Sequence, residues 1–233
     1  MNTSASESSI ACTQVPCGRT SIHGELAIPE DARGLVVFAH ATRGGWTNTS
    51  NWAIAWKIHH AGYATLLLDL LTPEEATLET AKEFLGSEVA LLTERLVAAI
   101  RWARSRKELA DLPVACFASE AAAAAALHAA VLLPEIRTVI GRAARTDLVD
   151  EPEKMPSLPV LLVVGENDRR TLRSNREYTN YAPARHVVRV IPGATHRFPE
   201  RGALGQVANL SLAWLEQKLP KLMPSVGKGW SGL

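Results

Sequence analysis

The stretch Val114–Leu127, VACFASEAAAAAAL, runs from a continuous apolar segment directly into an alanine-rich one. The first half lacks the apolar–polar alternation of a half-exposed strand and reads as a strand covered on both faces. The second half reads as a helix whose small side chains, Ala121 to Ala126, allow close packing on a sheet. A strand that turns straight into a helix can hold up a reactive side chain at its tip, usually serine in a small-x-Ser-x-small frame. Here the frame is Ala118-Ser119-Glu120-Ala121-Ala122, and glutamate stands at its centre.

Short apolar runs alternate with longer amphipathic ones on both sides of this turn. GLVVFAH (Gly34–His40), ATLLLDL, IRTVIGRA, LPVLLVVGEND and HVVRVIPGATH read as strands. NWAIAWKIHHAGY reads as a helix with Trp52, Ala55, Trp56 and His59 on one face and Gly62 as its stop. SEVALLTERLVAAIRWARSR carries Val89, Leu92, Leu96 and Ile100 along one stripe. AAAAALHAAVLL, TLRSNREYTNYA and ALGQVANLSLAWLEQKL supply further helices. This alternation predicts an α/β fold, a mostly parallel central sheet flanked by helices on both faces.

The 233 residues fit one large domain, set here at 19–220, after a Ser/Thr-rich and mobile segment 1–18 and before an irregular tail 221–233. A formal charge of +1 and scattered basic residues argue against nucleic acid as a partner. No apolar run reaches the eighteen or so residues of a membrane span, and the N-terminus lacks the pattern of a signal peptide. The expectation is a soluble cytoplasmic protein with a small-molecule substrate, able to pair as a homodimer. Cys12, Cys17 and Cys116 have no zinc or CxxC spacing, no HExxH is present, and nothing calls for a metal or cofactor.

In open parallel sheets, ligands bind beyond the carboxyl ends of the strands. Glu120, Asp168 in VVGENDR and His196 in PGATHRF stand there, in the chain order turn residue, acid, histidine. Asp168 alone could be a turn or cap residue and His196 an exposed loop residue; their order and placement favour catalysis. Arg43, Arg142 and Arg145 also follow strand ends. Arg43 and Arg142 are candidates for pairing with a substrate carboxylate, and Arg145 reads as a surface residue. His40 is expected to pack beneath the neighbouring loop, and His59, His60 and His128 to be structural or exposed.

Across GLVVFAHATRGG, YATLLLDLLTPEE, LLTERLVAAIRWAR, LPVLLVVGENDRRTL and IPGATHRF the sequence resembles the dienelactone hydrolase-like branch of the α/β-hydrolases. The resemblance implies the α/β-hydrolase fold without a large cap domain, since the segment from Ala144 to Leu158 is short. It implies a nucleophile at Glu120, an acid at Asp168 and a histidine at His196. It puts the oxyanion donors on the backbone of Ala41 or Thr42 and of Ala121. The chain departs from that family in having Glu120 where members have Ser or Cys, and Ala118, Ala122 and Ala41 where members have glycine.

Three readings of Glu120 follow: a carboxylate nucleophile toward an ester, lactone or epoxide-like electrophile, a general acid/base acting with His196, or the remnant of a retired site that binds a small ligand or partner. Ser119, one residue earlier, would attack only after a shift of register.

Overall fold

The computed structural model describes residues 9–41, 47–78, 85–155, 157–182 and 184–219. Its strands are β1 (Ser9–Cys17), β2 (Thr20–Ile28), β3 (Leu35–His40), β4 (Ala64–Asp69), β5 (Val114–Ser119), β6 (Ile136–Arg142), β7 (Val160–Gly165) and β8 (His186–Ile191). Its α-helices are α1 (Thr49–His60), α2 (Pro73–Leu78), α3 (Leu85–Arg104), α4 (Ala121–Leu132), α5 (Arg169–Thr179) and α6 (Ala203–Lys218). The strands form one sheet in the order β1-β2-β4-β3-β5-β6-β7-β8. Only β2 runs against the others, pairing antiparallel with both β1 and β4.

Every residue of β3, β4, β5 and β7 is buried, as their unbroken apolar sequences require. Alternate residues of one strand serve opposite faces. Val37, Cys116 and Leu162 pack under α3 and α4, whereas Phe38, Phe117 and Leu161 pack under α1 and α6. The alanine run is a packing device: Ala122–Ala126 are 0–1% exposed. Opposite them a Cβ on Gly141 would stand 2.8 Å from the Ala144 Cβ and 3.6 Å from that of Ala123, so helix and sheet meet at a distance only small residues permit.

Two expectations are corrected. Residues 9–17, assigned to a mobile segment, pair along their whole length with β2. Their Ser/Thr content hides an alternation in which Val15 is fully buried between exposed neighbours. The tail 221–233 lies outside the described residues. In α1 the buried stripe is Asn51, Ile54, Ala55, Ile58 and His59, turned away from the indoles. Trp52 and Trp56 are 41% and 39% exposed and stack on each other with centroids 5.0 Å apart. Aliphatic side chains fill the narrow space between α1 and the sheet, and the larger indoles cover one another outside it. Gly62 stops this helix as expected, at φ +86°, with its N–H bonded to His59 O and that of Tyr63 to Ile58 O.

The chain leaves β3 toward β4 on one side and returns to β5 on the other. The sheet therefore has a switch point between β3 and β5, where the crevice of such folds opens.

Candidate active site

Glu120 sits at that crevice, between the last residue of β5 and the first of α4, with φ 53° and ψ −127°. A non-glycine residue in this region carries of order 1–3 kcal/mol of strain and stays there only where its surroundings over-determine it. The surroundings do so: Glu120 N–H donates to Arg142 O at 3.3 Å, and Glu120 O accepts from Arg145 N–H at 3.1 Å and Ala123 N–H at 3.2 Å. The backbone of Arg145 thus supports the turn from below, a role its sequence does not advertise. Its side chain pairs with both carboxylate oxygens of Asp147, in keeping with the expectation that it serves the surface. Ala143 and Phe198 also have positive φ, so of the four such non-glycine residues among those described only Glu151 stands away from the edge of the sheet that carries Glu120.

His196 and Asp168 are brought to the same place. The loop after β7 and the loop after β8 are bound together, with Asn167 N–H donating to Ala194 O at 2.9 Å and Gly193 N–H to the Glu166 carboxylate at 2.8 Å. Asp168 caps α5 through one oxygen, which accepts from Thr171 N–H at 3.3 Å. Its other oxygen lies 2.6 Å from His196 Nδ1. Burial pushes the Asp168 carboxyl up, but the hydrogen bonds from His196 and Thr171 together outweigh it and hold the group below its ordinary value. With Nδ1 donating to Asp168, the Nε2 atom of His196 faces Glu120 Oε1 at 3.5 Å. That gap exceeds a hydrogen bond and leaves Nε2 open to the cavity.

Gly165 maintains this geometry. A Cβ there would stand 2.4 Å from Ala194 O and 2.7 Å from Thr195 O, both backbone atoms of the loop carrying His196. Gly165→Ala is expected to push His196 off Asp168 and lower kcat on the order of 10²-fold, the cost of about 1 Å of misplacement. Steady-state kinetics beside an unchanged circular dichroism spectrum would check it.

Beneath the elbow, His40, Ser119 and Arg142 form a row across neighbouring strands; Ser119 is the register partner of Arg142. Ser119 Oγ lies 3.0 Å from His40 Nδ1, and Asn51 Nδ2 approaches the same nitrogen at 3.5 Å. His40 is 1% exposed. Burial, with the Arg142 guanidinium adding to it, pushes its pKa down to about 3. Taking a proton from Ser119 would charge His40 where both effects oppose it, so this pair resembles a nucleophile and base in geometry alone. His40 lines the floor of the crevice; the loop it was expected to pack beneath lies outside the described residues.

A cavity of about 290 Å³ opens over these groups, lined by Glu120, His196, Ser119, Arg142, Arg197 and the first turn of α1. Burial pulls the Arg142 pKa down and the Glu120 carboxylate partly restores it; among the described residues its guanidinium has no hydrogen-bonded acceptor. Ala121 occupies the first position of α4, where a helix leaves its N–H without an intrahelical partner. Ala41 is buried directly after β3. Thr42 and Arg43 lie outside the described residues. Arg197 and the α1 residues Asn48, Ser50 and Asn51 were not singled out from sequence. Their only signals are adjacency to His196 and a helix start just beyond β3. Among the described residues, no cluster of three or more His, Cys, Asp or Glu side chains could hold a metal ion, and no helix is long and apolar enough to cross a membrane.

A sheet reversed only at its second strand, a positive-φ elbow after β5, and an acid and histidine following β7 and β8 define an α/β-hydrolase. A dienelactone hydrolase from Anabaena variabilis is 34% identical, with a TM-score of 0.82 over 91% of this chain and 99% of that one. The chain therefore belongs to the dienelactone hydrolase family. A dienelactone hydrolase-like promiscuous phosphotriesterase from metagenomic libraries shares the fold, with TM-score 0.73 and 16% identity over 91% of this chain and 98% of that one. Mycobacterium tuberculosis proteins provisionally named phosphoribosyl transferases are 38% identical over 202 residues, 86% of this chain. The chain spans only 45% of their length. No protein-family model matches the sequence.

Proposed function

We propose that this chain hydrolyses a small ester, lactone or epoxide-like electrophile, with Glu120 as the attacking carboxylate, His196 as the base toward water and Asp168 as the group that orients His196. The observation that carries this reading is the alignment of a strained Glu120 with His196 Nε2 at 3.5 Å while Asp168 holds Nδ1 at 2.6 Å. The start of α4 favours negative charge at the Glu120 side chain. An oxygen of Glu120 attacks the electrophilic carbon and a carbon–oxygen bond of the substrate breaks. The departing oxygen takes a proton from solvent, to which the side chains of Glu120 and His196 are each 40% exposed.

The intermediate on Glu120 is an ester if the substrate is an epoxide and an anhydride if it is an ester or lactone. Water then gives a proton to His196 Nε2 and adds to the Glu120 acyl carbon. The backbone N–H groups of Ala41 and Ala121 are the donors assigned to the oxyanion that forms. Collapse frees the product, the Glu120 carboxyl gives up the water's second proton to a departing alkoxide or to solvent and is again a carboxylate, and His196 returns its proton to solvent. Arg142, facing the cavity with no acceptor among the described residues, suits a substrate that carries an anionic group. The three free cysteines fit a reducing compartment, the cytoplasm.

The phosphoribosyl transferase name belongs to proteins of which this chain covers less than half; the hydrolytic reading rests on the chain's own triad. The test is incubation of the His196→Ala variant with esters, lactones, epoxides and haloalkanes, followed by intact mass and peptide mapping. An adduct on Glu120 is expected. An adduct on Ser119 would falsify the assignment.

A further inference from the structure

Away from the sheet, α3 and α4 enclose a second, shallow concavity of about 870 Å³ that shares no lining residue with the active-site cavity. Val89, Val97, Ala98, Val131, Leu132 and Met155 make much of it apolar. Val131 and Leu132 are 50% and 58% exposed, unusual for adjacent aliphatic residues at a helix end. An apolar surface bordered by charges is the form of a protein-binding face.

Its border carries Glu94 and Arg101 from α3, together with Asp150 and the Lys154–Glu151 pair, and the two charges on α3 point to the partner. Glu94 and Arg101 both line the concavity and are both exposed. They stand seven residues apart on α3, two helical turns or roughly 10 Å, too far to pair with each other. Among the described residues neither side chain makes a hydrogen bond or ion pair. Their midpoint falls between Val97 and Ala98. Laying a second α3 antiparallel on the first, with a two-fold axis at that midpoint, sets Glu94 against Arg101 of the second copy and Arg101 against its Glu94. The small residues Ala90 and Ala98 permit the helices to approach closely. Thr93 Oγ1 reaches Ala125 O at 3.5 Å, which fixes α4 beside α3 and sets Val131 and Leu132 near the level of Arg101. They would thereby meet the second copy near its Glu94. Such a face is complementary to itself, the requirement for an isologous contact.

We propose that the α3–α4 face is the interface of a two-fold homodimer, α3 against α3 about Val97 and Ala98. Sedimentation velocity on the full chain tests it. Wild type is expected to be dimeric at micromolar concentration. Glu94→Arg and Arg101→Glu should each be monomeric, because each sets like charges against one another at both ends of the interface. Mixing the two variants should restore a dimer, and so should combining both substitutions in one chain. Unchanged far-UV circular dichroism of the monomeric variants, with a cooperative melt, would show that the fold survives. A wild type that is monomeric up to its solubility limit, as when the face takes a different protein, overturns the proposal. So do single variants that remain dimeric, or a mixture that fails to associate.

Discussion

Glu120→Gln is expected to abolish turnover, lowering kcat on the order of 10⁴- to 10⁶-fold, the range seen when one member of a nucleophile–base pair is removed. The amide keeps the volume of the side chain and the turn that holds it, so the loss would report on the carboxylate alone. His196→Ala should behave differently. The first bond still forms, the water step does not, and a Glu120 adduct accumulates, preceded by one equivalent of alcohol when the substrate is an acyclic ester. Asp168→Asn leaves His196 without its acceptor and is expected to cost about 10⁴-fold, as loss of the orienting acid does in related triads. Ser119→Ala should retain kcat within about tenfold, since the proposed reaction does not pass through its hydroxyl. Arg142→Gln should raise KM for anionic substrates with little effect on neutral ones. Stopped-flow and steady-state kinetics on the five variants would separate these roles. A Glu120→Gln variant within tenfold of wild type removes the carboxylate from the chemistry.

The protein is also expected to lose stability as the pH falls through the range in which histidines titrate. An unfolded chain protonates His40 near 6.5, whereas the folded protein resists until about 3. Below about pH 6 the unfolded state therefore binds a proton that the native state does not. Stability then falls by about 1.4 kcal/mol per pH unit for this residue, a total on the order of 4–5 kcal/mol by pH 3. His59 and His186, whose pKa values burial also pulls down, act in the same direction. The carboxylates separate from them by window. Glu75, bonded to Arg95 and held at about 2, and Asp168, held below its usual value, contribute stability that is complete above the unfolded carboxylate range. That contribution is lost only below about pH 4.5. Urea midpoints at about pH 7.5, 6 and 5 measure the histidine part. His40→Asn should flatten the curve by close to one proton. An unchanged slope in that variant would mean that His40 titrates alike in both states.

Much of the fold was legible because its signals are local. VACFAS and LLVVG read as fully covered strands from an unbroken apolar run, and the helix stop at Gly62 from one residue type. β1 was missed because two opposed signals share it. Its composition is that of a loop, and its inward positions, Val15 above all, gain meaning only beside β2. The face of α1 was misjudged because a period of 3.6 allows two neighbouring stripes. Hydrophobicity favoured the indoles, whereas the width of the gap above the sheet favoured Ile54 and Ile58.

The sequence by itself determined which residues could act: a glutamate where a strand turns into a helix, and an acid and a histidine just past two later strands. Each of these is a property of a short window, and local chemistry and periodicity suffice to read it. Only the tertiary structure decided what those residues meet. Strand order puts His40, Ser119 and Arg142 in one row beneath Glu120, and the joined loops after β7 and β8 set His196 between two carboxylates. Burial then makes His40 too weak a base to serve Ser119. Register, burial and electrostatic coupling arise between segments dozens of residues apart, and no single window of the chain contains them.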